Sequence, residues 1–195
     1  MPKAPRQRPA HDRLMQAAQE LFYNHGISAT GIDAIVARAG VAKKSLYNNF
    51  SSKADLVSQY LEARHAEWLA LYAARAAAAQ TPQARVLAVF DAYQDHAECA
   101  YERGFRGCGL LNAAAELEAG DAGRDAVRQH KEEVERILAQ HLAELLPEAP
   151  DRAAATAAHL AFLLEGAMAR AGLEGDSRRV RTARAMAEDM LRTLT

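Results

Sequence analysis

TGIDAIVARAGVAKKSLYNNF, residues 30–50, is the stretch whose reading decides the fold. Ile32, Ile35, Val36 and Ala39 recur at the i, i+3, i+4, i+7 spacing of one buried helix face. Thr30 precedes them and Asp33 follows three residues later. Thr30 is therefore expected to cap the first amides, and Asp33 to favour the positive helix end. Gly40 follows the last periodic residue; without a Cβ it enters the left-handed region cheaply and serves as C-cap and pivot of a turn. Beyond it, Val41, Leu46 and Phe50 give a second short helix its apolar side. Lys43, Lys44, Ser45, Asn48 and Asn49, with Tyr47 beside them, give it a basic and amide-bearing side. That is the arrangement a helix-turn-helix needs to enter a DNA groove: Lys and Tyr reach phosphates, while Asn, Ser and Lys read base edges. An ordinary core helix with a solvated polar face leaves the same pattern, and the flanks decide against it.

Upstream, Leu14, Ala17, Ala18, Leu21 and Phe22 form the inner stripe of a preceding helix, which Gly26 ends with Ile27 packing back. Downstream, Ser52 and Asp55 form a cap pair that starts a long helix. Lys53 lies in its first turn, where the helix dipole prefers an anion. A phosphate bound at that helix end by free amides and a lysine removes the conflict.

The segment from Arg13 to Leu56 resembles the N-terminal domain of the TetR family of bacterial transcriptional regulators. The matching positions are Leu21-Phe22, Gly26, Thr30, Ile35, Ala39-Gly40-Val41, Ser45-Leu46-Tyr47, Phe50 and Ser52-Lys53-Ala54-Asp55-Leu56, about a quarter of the chain. Two positions depart from the family pattern. Ala42 stands where Ser is usual, which removes a cap worth roughly 1 kcal/mol. Lys44 stands where Gly is frequent, which adds a charge facing the DNA. The resemblance implies that Tyr47 and Lys53 grip phosphates and that Thr30 adds a phosphate contact. It further implies that Lys43, Lys44, Ser45, Asn48 and Asn49 share phosphate and base contacts.

The rest of the chain reads as helix. Half the residues are hydrophobic, alanine the commonest of them, aromatics are 6%, and no β-branched alternation appears. With many Leu, Glu, Arg and Gln this favours an all-α fold, expected to hold about nine helices. Residues 1–60 carry eight Lys or Arg against four Asp or Glu, a net +4, so with −1 overall the remainder carries −5. A basic head on an acidic body suits a DNA module joined to a part that does not touch DNA. Residues 1–9, MPKAPRQRP, hold three prolines and three positive charges. They are expected to be a disordered basic arm, with Arg6 and Arg8 able to follow the DNA backbone or minor groove. The organisation expected is the arm at 1–9, a three-helix DNA-binding domain at 10–56 and an effector-binding and dimerisation domain at 57–195. Neither a signal peptide nor a membrane-length apolar run is seen, so a cytoplasmic location is expected. Cys99 and Cys108 form no CxxC or zinc spacing, no metal or cofactor is expected, and both thiols are expected to be reduced.

In the body the helical patterns run from Ser52 to about Ala79 and, after a Thr81-Pro82 start, to about Arg103. A short helix in LLNAAAELE and the turn Gly120-Asp121-Ala122-Gly123 come next. Further helices are expected over about Arg124–Leu146, Asp151–Ala171 and Asp176–Leu194. The last two look apolar on more than one face, with Ala154, Ala157, Ala158, Ala161, Gly166 and Ala169 small enough for close helix approach. They are expected to pair two copies of the chain, as the family does in a four-helix bundle, so that a two-fold dimer reads a roughly palindromic operator.

By resemblance, the middle helices enclose a small-molecule effector pocket, with Trp68, Tyr72, Phe90, Tyr93, Phe105, Cys108, Asn112, Glu116, His130 and Phe162 as candidate lining residues. Cys108 lies beside Arg106 and just ahead of a helix start; such neighbours favour the reactive thiolate, which makes it a candidate electrophile or redox sensor. Enzyme readings rest on fragments. Glu62-Ala63-Arg64-His65 is an ExxH without the second copy that a di-metal bundle needs, and His96-Ala97-Glu98 lacks a deaminase's PCxxC. A helical adaptor without DNA binding would not need Lys43, Tyr47 and Lys53. The expectation is a homodimeric repressor, not an enzyme, released from its operator by a small molecule.

Overall fold

The computed structural model describes residues 9–99 and 101–194, and among them finds nine helices and no strand. Arg6 and Arg8 lie outside the described residues, and Pro9, the last residue expected in the arm, opens the first helix.

The head consists of α1 (Pro9–His25), α2 (Ile32–Ala39), α3 (Lys43–Asn49) and the start of α4 (Lys53–Ala78). Leu14, Ala18, Ile35, Leu46, Phe50 and Leu56 meet as its core and are essentially inaccessible to solvent. Each such aliphatic or aromatic side chain contributes about 1.5–3 kcal/mol by leaving water, which is how helices of seven and eight residues persist. Gly40 adopts φ +62°, its N–H reaching Val36 O and Ala37 O, and Val41 N closes on Val36 O at 3.1 Å. The α2–α3 turn is thus the glycine pivot expected from the sequence. At α4, Ser52 Oγ accepts the Asp55 N–H at 3.0 Å, the cap read from the sequence.

One cap differs from expectation and one agrees with it. Gly31, not Thr30, is the N-cap of α2 and makes no side-chain bond. Thr30 is only 3% exposed, and its hydroxyl donates to Gly26 O at 2.6 Å. Spent on the end of α1, it neither caps α2 nor faces outward. Ala42 caps α3 without a side-chain bond, as the missing hydroxyl requires.

The body continues with α4, then α5 (Pro82–Glu98), α6 (Gly109–Ala115), α7 (Ala122–Leu145), α8 (Pro150–Glu174) and α9 (Arg178–Arg192). The division expected at residue 56 falls inside α4, so one continuous helix joins head to body. α5 packs along α4, α7 and α9, and α8 packs along α7 and α9. α5 stops at Glu98 rather than near Arg103. Tyr101 turns back there: its hydroxyl donates to His96 O at 2.9 Å and its ring stacks on Tyr23 of α1 at 4.3 Å. α7 begins within the stretch expected to be a turn, because Asp121 caps it by accepting the Gly123 N–H at 2.7 Å. Among the described residues no helix is long and apolar enough to cross a membrane.

Candidate nucleic-acid interface and the cavity behind it

α3 presents its polar side outward. Lys43, Lys44, Tyr47 and Asn48 are exposed, Tyr47 by 55%, while Ser45 and Asn49 are half-buried. Residues 44, 47 and 48 are spaced i, i+3, i+4 and share one helix face, opposite the buried Leu46. Lys43 Nζ pairs with Asp33 Oδ1 at 2.8 Å, both ends in solvent. Asn49 Nδ2 donates to Ser45 O at 2.7 Å, which leaves its carbonyl oxygen as an acceptor. The arrangement offers two ammonium groups, a phenol and an amide, all exposed, to a polyanion.

Lys53 is placed differently from its neighbours on this face. Its Nζ donates to Ile27 O at 2.7 Å, tying the start of α4 to the α1–α2 turn. The conflict of its charge with the helix dipole is therefore offset inside the chain, by a backbone carbonyl.

That turn is also held from the body. Glu116, the C-cap residue of α6, accepts the Ile27 N–H at 3.1 Å and the Ser28 N–H at 2.7 Å. Burial alone would raise its pKa, but those two N–H groups outweigh it and hold the carboxyl below its ordinary value. Glu116 was a candidate pocket residue in the sequence; the structure makes it a clamp on the head. A second clamp is Arg106, whose Nη1 donates to Tyr23 O at 2.9 Å and Asn24 O at 2.6 Å at the end of α1. Tyr23 answers from the head: its hydroxyl accepts the Arg106 N–H at 2.7 Å and donates to Gly107 O at 3.2 Å.

Of the residues expected in an effector pocket, Trp68, Tyr93, Cys108 and His130 do line one cavity, joined by Arg64, His96, Gly109 and Leu110. It lies among α4, α5, α6 and α7 and has a volume of about 10 Å³. Phe90 and Phe105 are buried in the core but are not in its wall, and Tyr72 stacks on the outer side of Trp68 at 5.7 Å. Asn112 braces the loop by donating to Arg106 O at 3.0 Å. Phe162 is 75% exposed on the outer face of α8, far from a pocket role. Arg106, taken from the sequence as the neighbour of the Cys108 thiol, is committed to α1; the cation near sulfur is Lys131, with Nζ 3.6 Å from Sγ. Cys108 itself is 7% exposed.

Burial holds the His96 and His130 pKa values down to about 3, helped at His96 by the charges of Arg64 and Lys131 and at His130 by that of Lys131, so both are neutral at physiological pH. His96 accepts from Arg64 Nη2 at 3.1 Å, and His130 meets His65 at 2.9 Å and the Tyr93 hydroxyl at 3.3 Å. Sequence reasoning missed Arg64, His96 and Lys131 as parts of one site. The first two lay within the ExxH and His-Ala-Glu fragments, and only the packing of α4 on α5 brings them together.

Residues 14–60 match the profile of a family described as bacterial regulatory proteins, tetR family. Over the whole chain, the fold is similar to that of a TetR-family transcriptional regulator from Streptomyces coelicolor. The identity is 31%, the TM-score 0.86, and the match covers 96% of this chain and 97% of that one. It is also similar to a regulatory protein TetR from Rhodobacter sphaeroides, with 27% identity, TM-score 0.78 and coverage of 92% and 97%. A stretch of 55 residues is 46% identical to the HTH-type transcriptional activator FasR of Mycolicibacterium smegmatis; this spans 28% of the present chain and only 25% of that protein.

Proposed function

The chain belongs to the TetR family of bacterial transcriptional regulators, and from that premise we propose that it is a homodimeric repressor released from its operator by a small molecule. The observation that carries the reading is the outward face of α3, where Lys43, Lys44, Tyr47 and Asn48 stand exposed on a helix anchored from behind by Leu46 and Phe50. Lysine and tyrosine supply phosphate contacts, and the asparagines and Ser45 supply base-edge contacts. Thr30 and Lys53 hold the head together, and the Lys53 ammonium, with one N–H on Ile27 O, keeps two donors for a phosphate.

Pairing of two copies is supported by the outer faces of α8 and α9. Phe162 and Leu173 are 75% and 85% exposed and Met186 is 53% exposed, beside the small exposed residues Ala154, Gly166 and Ala169. Large apolar side chains left in water on helices with small neighbours are what a helix–helix interface needs. Two heads on a two-fold axis then read two half-sites. Response to an effector is supported by the position of α6: its first residues line the cavity and its C-cap Glu116 holds the head.

The test is selection of bound fragments from the source genome by the purified protein, followed by deletion of its gene. A palindromic site beside genes whose expression rises on deletion supports repression. No enriched site refutes the DNA reading, and falling expression refutes the sign.

A second reading keeps the same regulator and makes Cys108 its electrophile or redox sensor. The observation in its favour is the ammonium of Lys131 at 3.6 Å from the sulfur. If alkylation of Cys108 leaves operator binding unchanged, this reading fails.

A further inference from the structure

The wall of the interior cavity has a one-sided chemistry. None of its residues is an aspartate or glutamate, and Arg64 brings a full positive charge. Lys131 lies just behind it, Nζ 3.5 Å from the Tyr93 hydroxyl. The carboxylates that pair with these cations are outside the wall: Glu67 on Arg64 at 2.6 Å, and Glu165 on Lys131 at 2.8 Å. The imidazole acceptors are taken, His96 by Arg64 and His130 by its contacts to His65 and Tyr93. One donor is left over. Trp68 is 3% exposed, and its indole Nε1–H is buried without a hydrogen-bond partner among the described residues. Buried donors without acceptors are rare because the group has given up water for nothing. The wall itself carries one guanidinium and a spare indole donor and no carboxylate, between the rings of Trp68 and Tyr93 at 5.3 Å, a lining that suits a ligand with acceptor oxygens on an apolar skeleton.

We propose that this cavity takes a small organic carboxylate, whose oxygens accept from the Trp68 indole and the Arg64 guanidinium while its carbon skeleton packs against the Trp68 and Tyr93 rings. The inference rests on the reading that the body senses a small molecule, and it adds the class of that molecule. A volume of about 10 Å³ holds about one water, so binding goes with opening of the wall. α6 is the part to move: it has seven residues, Cys108 to Leu110 at its start form one wall, and Glu116 at its end clamps Ile27 and Ser28. Arg64 carries the same message by a second route, because its guanidinium lies 5.8 Å from the ring centroid of Tyr23 in the head. A carboxylate that draws Arg64 inward takes it from that ring. By linkage, the ligand then favours whichever head arrangement the opened body allows.

Trp68 is the only tryptophan in the chain, so its emission reports on this cavity alone. The full-length protein is titrated with benzoate, salicylate and acetate and, as uncharged matches, with benzamide and benzyl alcohol, reading Trp emission and thermal midpoint. The expected result is a saturable emission change and a raised midpoint with an aromatic carboxylate and neither with the uncharged compounds. Trp68→Phe keeps a ring and loses the N–H, and is expected to weaken benzoate about tenfold by calorimetry. Arg64→Gln is expected to abolish binding, and Arg64→Lys to restore part of it, which a purely structural role for Arg64 would not do. Benzamide binding as tightly as benzoate, equal affinity in Trp68→Phe, or no response to any of the carboxylates overturns the proposal. Operator binding by the same preparation without added ligand is measured in parallel. If it persists with no carboxylate response, only the ligand class is wrong; if it is absent, the regulator reading itself fails.

Discussion

Glu116 Oε2 lies 2.7 Å from the Ser28 nitrogen, so a side chain from the body caps a backbone turn of the DNA-binding head. Gly26, next to that turn, has φ +91°, and a Cβ there would sit 2.5 Å from Glu116 Oε1. The turn is therefore shaped twice, by a left-handed glycine and by the carboxylate packed on it. Replacing Glu116 by Ala should cost about 1 kcal/mol, as loss of a cap does, with screening keeping the figure from growing larger. That is a fall of about 2–4 °C in thermal midpoint for a chain of this size, with faster hydrogen exchange at Ile27 and Ser28. Unchanged exchange at those two amides would refute the clamp.

Gly26→Ala should destabilise by more than about 1 kcal/mol, because alanine is strained at positive φ and its methyl meets the Glu116 carboxylate. In the Glu116→Ala background the steric part disappears and the backbone part remains, so the two costs should not add. Additive losses in a double-mutant cycle would contradict the contact.

On the DNA side, Lys44→Ala should weaken binding to all operators and lower the salt slope by about 0.9. Asp33→Asn should act in the opposite sense. It removes a negative charge and frees Lys43, now paired at 2.8 Å, so non-specific DNA binding should tighten by about two- to fivefold. Titrations across a range of salt concentrations measure both.

Acid should unfold the body before it affects most of the surface pairs. His96 and His130 are held at about 3 in the folded chain, against an ordinary value of 6.5. Unfolding therefore takes up protons between those limits. Stability is at its full value above pH 6.5 and is lost as the pH falls toward 3, approaching about 1.4 kcal/mol per pH unit for each histidine. Urea midpoints measured from pH 7 down to 5 should fall steadily, and a flat profile would show that these rings are not buried neutral.

Cys99 is exposed and Cys108 is buried, so iodoacetamide should modify Cys99 first in the native protein and both equally after denaturation. Peptide mapping at short times decides the order. For the proposed dimer, Phe162→Asp or Leu173→Asp should shift sedimentation from two chains to one while leaving helix content unchanged.

The head was legible in the sequence because its signals are local. The 3.6-residue periodicity of Ile32, Ile35, Val36 and Ala39, the positive φ of Gly40 and the Ser52 cap each depend on neighbours a few residues away. Thr30 misled for a similar reason: a threonine before a helix looks like its cap, and only the proximity of Gly26 O took its hydroxyl elsewhere. Lys53 stands out in the sequence as a charge at the wrong helix end, but its partner Ile27 O is 26 residues away and leaves no mark in the pattern.

The sequence by itself determined an all-helical chain, the helix-turn-helix and the polar side chains that face outward from it, because helix periodicity and caps are written in short-range spacing. Tertiary structure alone decided which polar residues share a site. Arg64, His96, Lys131 and Trp68 come from three helices, and their meeting depends on how α4, α5 and α7 cross. Glu116 became a clamp rather than a pocket residue because the short α6 ends against α1. Long-range packing sets the neighbours of a charged group, and neighbours set whether it binds, bridges or is spent holding the fold.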